Sequence, residues 1–332
     1  METIDIHGTG ITASRVGLGT WAIGGWMWGG SDEEESIRTI LAALDKGINL
    51  IDTAPVYGFG RSEEIIGTML ARRRRREDLV LATKTGLDWE DERPFRNASA
   101  SRIEREIENS LRRLQTDYID IYQLHWPDPE TPVEETAQAM DRIYKAGKIR
   151  AIGVSNCTPE QCEAFRAIAP LHVIQPPYNL FERGIEAAVL PYASEHGLVT
   201  LVYGALCRGL LSGRMGLDTE FGDDDLRRYD PKFRKPRFET YLNAVAGLEA
   251  YAKERYGKTV LELALRWLLD RPGVGVALWG ARHPGQLTPI TGVLDWKLEP
   301  GDHERIDAIV RTHVTDPVGP EFMAPPLRSA RR

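Results

Sequence analysis

The stretch NLIDTAPVYGFGRSEEIIG, residues 49–67, contains the structural unit that repeats along this chain. It begins as a short apolar strand ending in Asp52, turns through a segment rich in glycine and proline, and continues as an amphipathic stretch. Gly58 and Gly60 resemble a phosphate-binding loop, but G-x-G-x-x-G requires a third glycine three residues later, where the chain has glutamate. We therefore expect the glycines to form a tight turn that presents Tyr57 beyond the strand.

The same succession of apolar run, turn and amphipathic stretch recurs along the chain. The eight predicted strands cover residues 15–21, 48–54, 79–85, 118–126, 149–156, 172–179, 198–204 and 273–280. Several are nearly continuous apolar runs, which are typical of parallel strands buried on both faces. The pattern favours an α/β fold of the (β/α)8 TIM-barrel type. A doubly wound sheet is the main alternative, because it shares the alternation.

Three segments lie outside the repeat. Residues 3–16 alternate around Gly8 and Gly10, which predicts a β-hairpin before the first barrel strand. Residues 212–237 form a connection too long for a simple turn, and we interpret it as a mobile lid or a rim element. A proline-rich tail over residues 314–332 is expected either to cover the barrel mouth or to be disordered. With no composition break before the tail, we expect a single domain over residues 1–332.

Capping motifs indicate where helices begin. A capping box places serine or threonine three positions before an acidic or amide residue, and it is predicted at Ser31–Glu34, Ser101–Glu104 and Thr259–Glu262. Thr131-Pro132 and Thr158-Pro159 place proline at the expected first helical position.

Composition limits the classes of function. The 332 residues are 42% hydrophobic and 27% charged, and the net charge of -7 argues against a nucleic-acid partner held by phosphate contacts. No apolar run has the length of a membrane span, and the N-terminus lacks a secretory pattern. Cys157, Cys162 and Cys207 form no CxxC pair, which predicts a reducing, cytoplasmic location. No side-chain spacing indicates a metal site.

A run of five arginines, Arg72 to Arg76, allows two interpretations. It could bind an anionic partner or serve as a targeting signal. The favoured interpretation is a solvated helix end, because acidic residues follow at once and basic residues suit the last turn of a helix.

Ionisable side chains end three consecutive predicted strands. Asp52, Lys84 and His125 end the second, third and fourth strands, and Tyr57 lies just beyond the second. Because the active site of such a barrel lies at the carboxyl ends of its strands, we expect these groups to meet at the mouth. The set suits proton transfer to a carbonyl or alkoxide oxygen.

Each of these groups has an expected task. The Lys84 ammonium should lower the pKa of the Tyr57 phenol, and Asp52 should keep Lys84 charged and in place. His125 can donate a hydrogen bond to the same substrate oxygen.

The sequence resembles the aldo-keto reductase superfamily over essentially the whole chain to residue 314. Eight motifs carry the resemblance: GLGTW (17–21), DTAPVYGFGRSEEIIG (52–67), ATKTG (82–86), QLHWPD (123–128), GVSN (153–156), QPPYN (175–179), YGALCRGLLSGR (203–214) and GARHPGQL (280–287). The chain looks closer to the bacterial branch that also resembles potassium-channel β subunits than to mammalian aldose reductases. The resemblance implies an NAD(P)H-dependent oxidoreductase that interconverts an aldehyde or ketone and an alcohol.

The resemblance also implies roles for residues. The implied catalytic tetrad is Asp52, Tyr57, Lys84 and His125, with Tyr57 as proton donor in reduction. A nicotinamide cofactor would lie extended across the barrel mouth without a Rossmann domain. The implied cofactor contacts are Thr20, Trp21, Asp52, Ser155, Asn156, Gln175, Tyr203, Gly204, Ala205, Leu206, Arg208, Gly280, Arg282 and Gln286.

These implied contacts divide among the parts of the cofactor. Ser155, Asn156 and Gln175 would bind the carboxamide, while Tyr203 would stack on the nicotinamide ring. The backbone over residues 204–208 would wrap the pyrophosphate, and Gly280, Arg282 and Gln286 would hold the adenosine end.

Arg282 favours NADPH over NADH, because a guanidinium fork matches a phosphate. After Gln286 the chain departs from the family, since residues 287–290 read LTPI where a Glu-Asn pair often grips adenine.

Tryptophans that follow the first, third and fourth strands predict an apolar pocket suited to a bulky or aromatic carbonyl. They are Trp21, Trp26, Trp28, Trp89 and Trp126.

Three other functions stay open on the sequence alone. The chain could be a redox-sensing module that holds NADPH with little turnover, or a barrel lyase that uses Lys84 as a Schiff-base nucleophile. It could also work physiologically as an alcohol dehydrogenase, because oxidation and reduction share one transition state. The sequence specifies neither the small-molecule substrate nor the oligomeric state.

Overall fold

The computed structural model describes residues 1–72 and 75–331. The strands in this part of the chain are β1 (Thr3–Ile6), β2 (Ile11–Ser14), β3 (Val16–Gly19), β4 (Leu50–Asp52), β5 (Val80–Thr85), β6 (Leu87–Glu90), β7 (Arg93–Arg96), β8 (Ile119–Leu124), β9 (Ile149–Ser155), β10 (Val173–Gln175), β11 (Val199–Val202) and β12 (Val276–Gly280). The α-helices are α1 (Trp21–Gly24), α2 (Glu33–Asp45), α3 (Arg61–Arg72), α4 (Ala100–Leu114), α5 (Val133–Lys145), α6 (Pro159–Arg166), α7 (Val189–Glu195), α8 (Arg237–Tyr256), α9 (Val260–Asp270), α10 (Ile290–Val293) and α11 (Asp302–His313).

Eight of the strands close into a parallel barrel. The order around the barrel is β3, β4, β5, β8, β9, β10, β11 and β12, and β12 pairs back onto β3. Each barrel strand lies within one of the eight predicted segments, so the predicted (β/α)8 fold is confirmed and the doubly wound alternative is wrong.

The N-terminal hairpin closes one end of the barrel. Strands β1 and β2 pair antiparallel, as predicted, with Ile6 opposite Ile11. Ile6, Ile11 and Ala13 are buried in one cluster with side chains from the barrel interior, including Leu50 and Val276. This apolar plug fills the amino-terminal end of the barrel and leaves the carboxyl ends of the strands to form the site.

The capping predictions were only partly right. Thr158 and Thr259 form complete capping boxes at the starts of α6 and α9. The box predicted at Ser31 is wrong by one residue, because Asp32 caps α2 by accepting from the Glu35 N–H at 2.7 Å. The capping box predicted at Ser101 is also wrong, because the residue before α4 is Ser99, and its side chain does not cap the helix. Pro132 was expected to be the first residue of α5, but it is the residue before this helix and provides no side-chain cap.

Strands β6 and β7 and helix α8 were not predicted individually. Strands β6 and β7 form an antiparallel hairpin directly after β5, with Leu87 opposite Arg96. Helix α8 follows the long connection after β11 and packs along α11 outside the barrel. The connection itself contains only short 3-10 turns, at Leu226–Arg228 and Pro231–Phe233.

The arginine run is divided between two environments. Arg72 ends α3 and pairs with Glu34 on the surface at 3.0 Å, as a solvated helix end should. Arg76 instead reaches the fully buried Asp120 at 2.7 Å, so its charge has a structural partner. Arg73 and Arg74 lie outside the described residues.

The C-terminal tail runs along the barrel mouth. Val318 donates its N–H to the Tyr241 hydroxyl at 3.2 Å, and Met323 lines the main cleft. Farther on, Arg96 donates its N–H to Pro326 O at 3.0 Å. Arg328 then pairs with Asp128 at 3.2 Å. Of the two expectations for the tail, the structure shows the one in which it covers part of the mouth.

Candidate active site

The turn that carries Tyr57 depends on close backbone contact between two glycines. A Cβ at Gly24 would lie 2.5 Å from the Tyr57 carbonyl group, and a Cβ at Gly58 would lie 2.1 Å from Gly24 O. Gly58 and Gly60 both have positive φ, at 67° and 105°. The glycines therefore build a tight turn against α1, and this turn places Tyr57 at the mouth.

A buried ion pair lies directly beneath Tyr57. Lys84 Nζ donates to Asp52 Oδ2 at 2.7 Å and to the Thr53 carbonyl at 2.9 Å. Its third contact is the Tyr57 hydroxyl at 3.3 Å. Lys84 is fully buried and Asp52 is 3% exposed, so the charges are shielded from water and strongly coupled to the phenol.

Aromatic rings flank Tyr57 on two sides. The Trp21 ring stacks on Tyr57 at 5.8 Å between centroids, and the His125 ring meets it edge-on at the same distance. His125 is fixed through its backbone, because its N–H donates to Thr85 O at 2.8 Å and its carbonyl accepts from Asn156 Nδ2 at 3.0 Å. The structure thus brings together Asp52, Tyr57, Lys84 and His125.

The pKa shifts at this site correct one expectation. Burial, with Asp52 as a second cause, raises the pKa of Tyr57 well above its usual value, so the expected lowering by Lys84 is wrong. Burial also lowers the pKa of Lys84, opposed by Asp52. Burial and Lys84 together lower the pKa of His125 well below its usual value. At neutral pH the site therefore presents a neutral phenol and a neutral imidazole.

The second oxygen of Asp52 has partners that the sequence analysis missed. Oδ1 accepts from Gln175 Nε2 at 2.8 Å and from Gln123 Nε2 at 3.2 Å. Gln175 Nε2 also donates to Gln123 Oε1 at 3.1 Å. Gln123 could have been found as the one amide inside the apolar run of β8, two residues before His125.

Ser155 and Asn156, two of the residues expected to bind a carboxamide, lie beside Gln175. Ser155 Oγ donates to Gln175 O at 2.8 Å, and Asn156 Nδ2 donates to Ser155 Oγ at 3.0 Å. Tyr203 donates its hydroxyl to Asn156 Oδ1 at 2.8 Å. Asn156 has a positive φ of 60°, which turns its side chain back toward Tyr203 at the exit of β9.

A cleft of about 400 Å³ opens beside the ion pair. The predicted residues that line it are Thr20, Trp21, Trp28, Asp52, Tyr57, Tyr203, Gly204, Ala205, Leu206, Arg208, Gly280, Arg282 and Gln286. Met215, Phe221 and Arg227 of the long connection also line the cleft, so this connection forms one of its rims.

Two buried groups in the cleft need a hydrogen-bond acceptor. The indole N–H groups of Trp21 and Trp28 are buried and have no partner among the described residues. Because buried donors are nearly always satisfied, an acceptor-rich ligand in this cleft would complete them. The cleft therefore fits a ligand that carries hydrogen-bond acceptors better than a purely apolar one.

The side chain of Arg208 lies in a cluster of four buried charges, named here the buried charge cluster: Glu182, Arg208, Asp230 and Lys232. Arg208 pairs with Glu182 and, at 2.6 Å, with Asp230. Lys232 pairs with Glu182 at 2.8 Å. The Arg208 guanidinium is therefore already paired, and only the backbone of this turn is available to a phosphate.

Arg282 lies exposed beyond β12. Its guanidinium donates to Gly30 O at 2.8 Å and also to Trp28 O. Its own N–H donates to Gln286 Oε1 at 2.7 Å. Both partners of the guanidinium are uncharged backbone carbonyls. Neither of these contacts therefore neutralises its positive charge.

The five tryptophans lie in two groups. Trp21 and Trp28 line the cleft and meet edge-on at 5.9 Å. Trp26 and Trp89 instead flank Phe59, at 5.1 and 5.7 Å, and Phe59 was not predicted. Trp126 packs against the Arg96 guanidinium at 5.3 Å. The aromatic residues thus divide into a wall of the cleft and a second group.

Comparison with known proteins shows the class to which this barrel and its candidate site belong. The family model "Aldo/keto reductase family" matches residues 15–311. Aldo-keto reductase YhdN of Bacillus subtilis is 60% identical over 99% of this chain and 99% of its own length. The NADH-specific methylglyoxal reductase of Escherichia coli is 38% identical over 91% of this chain and 96% of its own length.

A solved structure gives the same result. The glycerol dehydrogenase AKR11B4 of Gluconobacter oxydans is 54% identical, with a TM-score of 0.88 over 97% of this chain and 99% of that chain. The chain belongs to the aldo/keto reductase family and is an oxidoreductase that acts on carbonyl and alcohol groups. The family prediction is confirmed, and a probable voltage-gated potassium channel subunit beta of Oryza sativa is also similar, at 31% identity over 94% of this chain and 97% of its own length.

Proposed function

We propose that this protein reduces an aldehyde or ketone with NADPH, and oxidises the alcohol in reverse, with Tyr57 as the proton donor and acceptor. The observation that carries the proposal is the contact of the Tyr57 hydroxyl with Lys84 Nζ, which Asp52 holds at 2.7 Å on the floor of the cleft. This arrangement places a proton donor and a fixed cation where a substrate oxygen can enter.

The roles follow from charge and burial. When bound, NADPH would supply the hydride to the carbonyl carbon. As the substrate oxygen becomes negative, Tyr57 donates its proton to it, and the Lys84 ammonium stabilises the resulting phenolate. The lowered pKa of His125 leaves a neutral imidazole that can donate to the same oxygen. General acid catalysis of this kind contributes about 10²–10⁴-fold.

The cofactor would be held by three groups of residues. Ser155, Asn156 and Gln175 offer amides and a hydroxyl beside Tyr57, and they suit a carboxamide. The aromatic face of Tyr203 suits the flat nicotinamide ring. Thr20 and Trp21 line the same cleft, and the backbone from Gly204 through Ala205 and Leu206 to Arg208 turns beside it.

We assign NADPH rather than NADH on the basis of Arg282. Its exposed guanidinium lines the cleft with Gly280 and Gln286, and it matches the geometry of a phosphate. The Escherichia coli relative is named as NADH-specific, so a direct comparison of cofactors is required. The assignment predicts a higher kcat/KM with NADPH, and equal or NADH-favouring values would contradict it.

The substrate class is a carbonyl without a phosphate group. The Trp21 and Trp28 rings form part of the cleft wall, and an apolar wall of this kind suits a bulky or aromatic carbonyl. A carbonyl panel of methylglyoxal, benzaldehyde and a sugar phosphate with NADPH or NADH, and glycerol with the oxidised cofactors, tests this by nicotinamide absorbance. Preference for the sugar phosphate would contradict the assignment.

The same experiments test the alternatives. A redox-sensing module would hold NADPH but turn over no member of the panel. A barrel lyase would be trapped by borohydride on Lys84 in the presence of substrate.

The three cysteines are free and buried, which supports a reducing, cytoplasmic location. None of the helices in residues 1–72 and 75–331 combines the length and the hydropathy of a transmembrane span.

A further inference from the structure

We infer that Gln123 is a positioning residue for the reaction, because it holds the Asp52 carboxylate in the orientation that fixes Lys84 beneath Tyr57. The inference rests on the proposed function, and it adds to the tetrad a residue on a barrel strand that contacts neither the Tyr57 hydroxyl nor the Lys84 ammonium.

The geometry of the Asp52 carboxylate carries the inference. Oδ2 is bound by Lys84 at 2.7 Å, so its direction determines where the ammonium lies. Oδ1 accepts from Gln123 at 3.2 Å and Gln175 at 2.8 Å. A carboxylate with partners on both oxygens cannot rotate about its χ2 angle without breaking a buried hydrogen bond.

A hydrogen-bonded chain therefore crosses the barrel interior. It begins at Gln175 on β10, reaches Gln123 on β8, continues to Asp52 on β4 and ends at Lys84 on β5. All four side chains are at most 3% exposed. This polar layer lies above the apolar interior cluster of Leu50, Ile121 and Val173 and their neighbours.

A glycine in the barrel leaves space for this hydrogen-bonded chain of side chains. Between β8 and β10, the register pairs Gln123 with Gly153 on β9. A Cβ at Gly153 would lie 2.8 Å from Gln123 Cγ and 3.3 Å from Val173 Cβ. Glycine at this position thus leaves the space through which Gln123 extends, and an alanine there would push the amide away from Asp52.

The hydrogen-bonded chain of side chains also restricts how Gln175 can contact a cofactor. Gln175 Nε2 carries two hydrogens, which have Asp52 Oδ1 and Gln123 Oε1 as acceptors. Its carbonyl oxygen is then the atom left to receive an N–H from a nicotinamide carboxamide. Because Gln175 also donates to Asp52 Oδ1 at 2.8 Å, its amide stays oriented toward the cofactor when the Gln123 amide is removed.

The test uses three variants of the full-length protein. Gln123→Met keeps an unbranched side chain of similar size but removes the amide. Gln123→Glu keeps the shape and can donate to Asp52 only when protonated. Ile121→Val is the matched control, because Ile121 lies on the same strand in the apolar layer below and makes no polar side-chain contact.

Gln123→Met should lower kcat about 10-fold or more, the loss expected for a hydrogen bond to a charged group, while the NADPH Kd measured by protein fluorescence changes less than about 3-fold. The high-pH limb of the kcat profile should move to lower pH. The reason is that burial lowers the pKa of Lys84 and a loosened Asp52 opposes this less. The other titratable groups around the pair are Tyr57, His125 and Glu63.

Gln123→Glu should approach wild-type kcat as the pH falls and lose it as the pH rises, because an ionised glutamate repels Asp52. Ile121→Val should change the Tm but neither kcat nor the pH profile.

A wild-type kcat and profile in Gln123→Met, a loss of Tm alone, or a Kd rise above about 10-fold would overturn the inference. If Gln123→Met fails to fold, Gln123→Glu decides, and a pH-independent activity overturns it. Absence of NADPH oxidation by the wild-type protein would instead overturn the proposed function.

Discussion

Two regions of this barrel bury charge next to the same cleft, and they differ in what the charges face. The Asp52–Lys84 pair is buried at the top of the barrel interior. Lys84 also contacts Tyr57, and Tyr57 lines the cleft. In the buried charge cluster, each carboxylate pairs with a cation of the cluster, and each side chain is at most 4% exposed. Buried charge alone therefore does not mark a catalytic site, and the site proposed above is the one in which a buried cation contacts a phenol at the cleft.

The cluster has a different task, which its position shows. Asp230 and Lys232 lie in the connection after β11, while Glu182 follows β10 and Arg208 follows β11. Lys232 also donates to Gly319 O of the tail at 3.1 Å. The cluster therefore fastens the rim of the cleft and the tail to the barrel.

The largest expected effect is at the acid of the first region. Tyr57→Phe removes the proton donor but keeps the ring that Trp21 stacks on, so kcat should fall by about 10²–10⁴-fold. The NADPH Kd, measured by fluorescence quenching, should change little. Near-wild-type turnover would show that Tyr57 is not the acid.

The second prediction breaks the buried charge cluster. Glu182→Gln leaves Arg208 and Lys232 with one buried carboxylate fewer, which should cost about 3–5 kcal/mol of unfolding free energy. Urea denaturation measures this. The pH profile of kcat should keep its wild-type shape, and a changed profile would mean that the cluster belongs to the reaction.

The cluster should also respond to acid. Burial alone would raise the pKa of Glu182, but Arg208 and Lys232 bring it below its usual value. A depressed folded-state pKa stabilises the protein above the unfolded value, near about 4.3, and this stabilisation is lost as the pH falls through the folded value. Wild-type stability should therefore fall more steeply below about pH 4 than that of Glu182→Gln, and parallel curves would contradict this.

A smaller effect is expected at Arg282, at the β12 exit of the cleft. Arg282→Ala should lower kcat/KM for NADPH by about 10–100-fold, since a charge-assisted phosphate contact is lost. The value for NADH should change much less. Steady-state kinetics with both cofactors gives the ratio, and an equal loss for both would assign Arg282 to structure through Gly30 and Trp28.

The smallest effect compares two predicted helix caps. Thr259→Ala removes a complete capping box from α9 and should cost about 1 kcal/mol. Ser31→Ala is the matched control, because Asp32 is the residue that caps α2. Equal losses in thermal unfolding would contradict the capping assignment.

What the sequence could predict depended on how local the signal was. Each barrel strand is an apolar run followed by its own turn, so all eight were found, and Asp52, Lys84 and His125 were found because they end such runs. Glu182, Asp230 and Lys232 look like ordinary surface charges, since only tertiary packing brings them to Arg208.

Gln123 shows the same limit inside the barrel. Its role depends on a hydrogen bond to β4 and on space left by Gly153, and neither can be seen within β8 alone. The pKa of Tyr57 was also misjudged, because the sequence shows the nearby lysine but not the extent of burial.

The most direct test of the account is hydride transfer itself. NADPH deuterated at the reactive C4 position is incubated with wild-type protein and the carbonyl panel, and the alcohol is analysed by mass spectrometry. We expect one deuterium on the carbinol carbon for each NADPH oxidised. NADPH that stays bound and unoxidised with every carbonyl would contradict the account and identify a binding module instead.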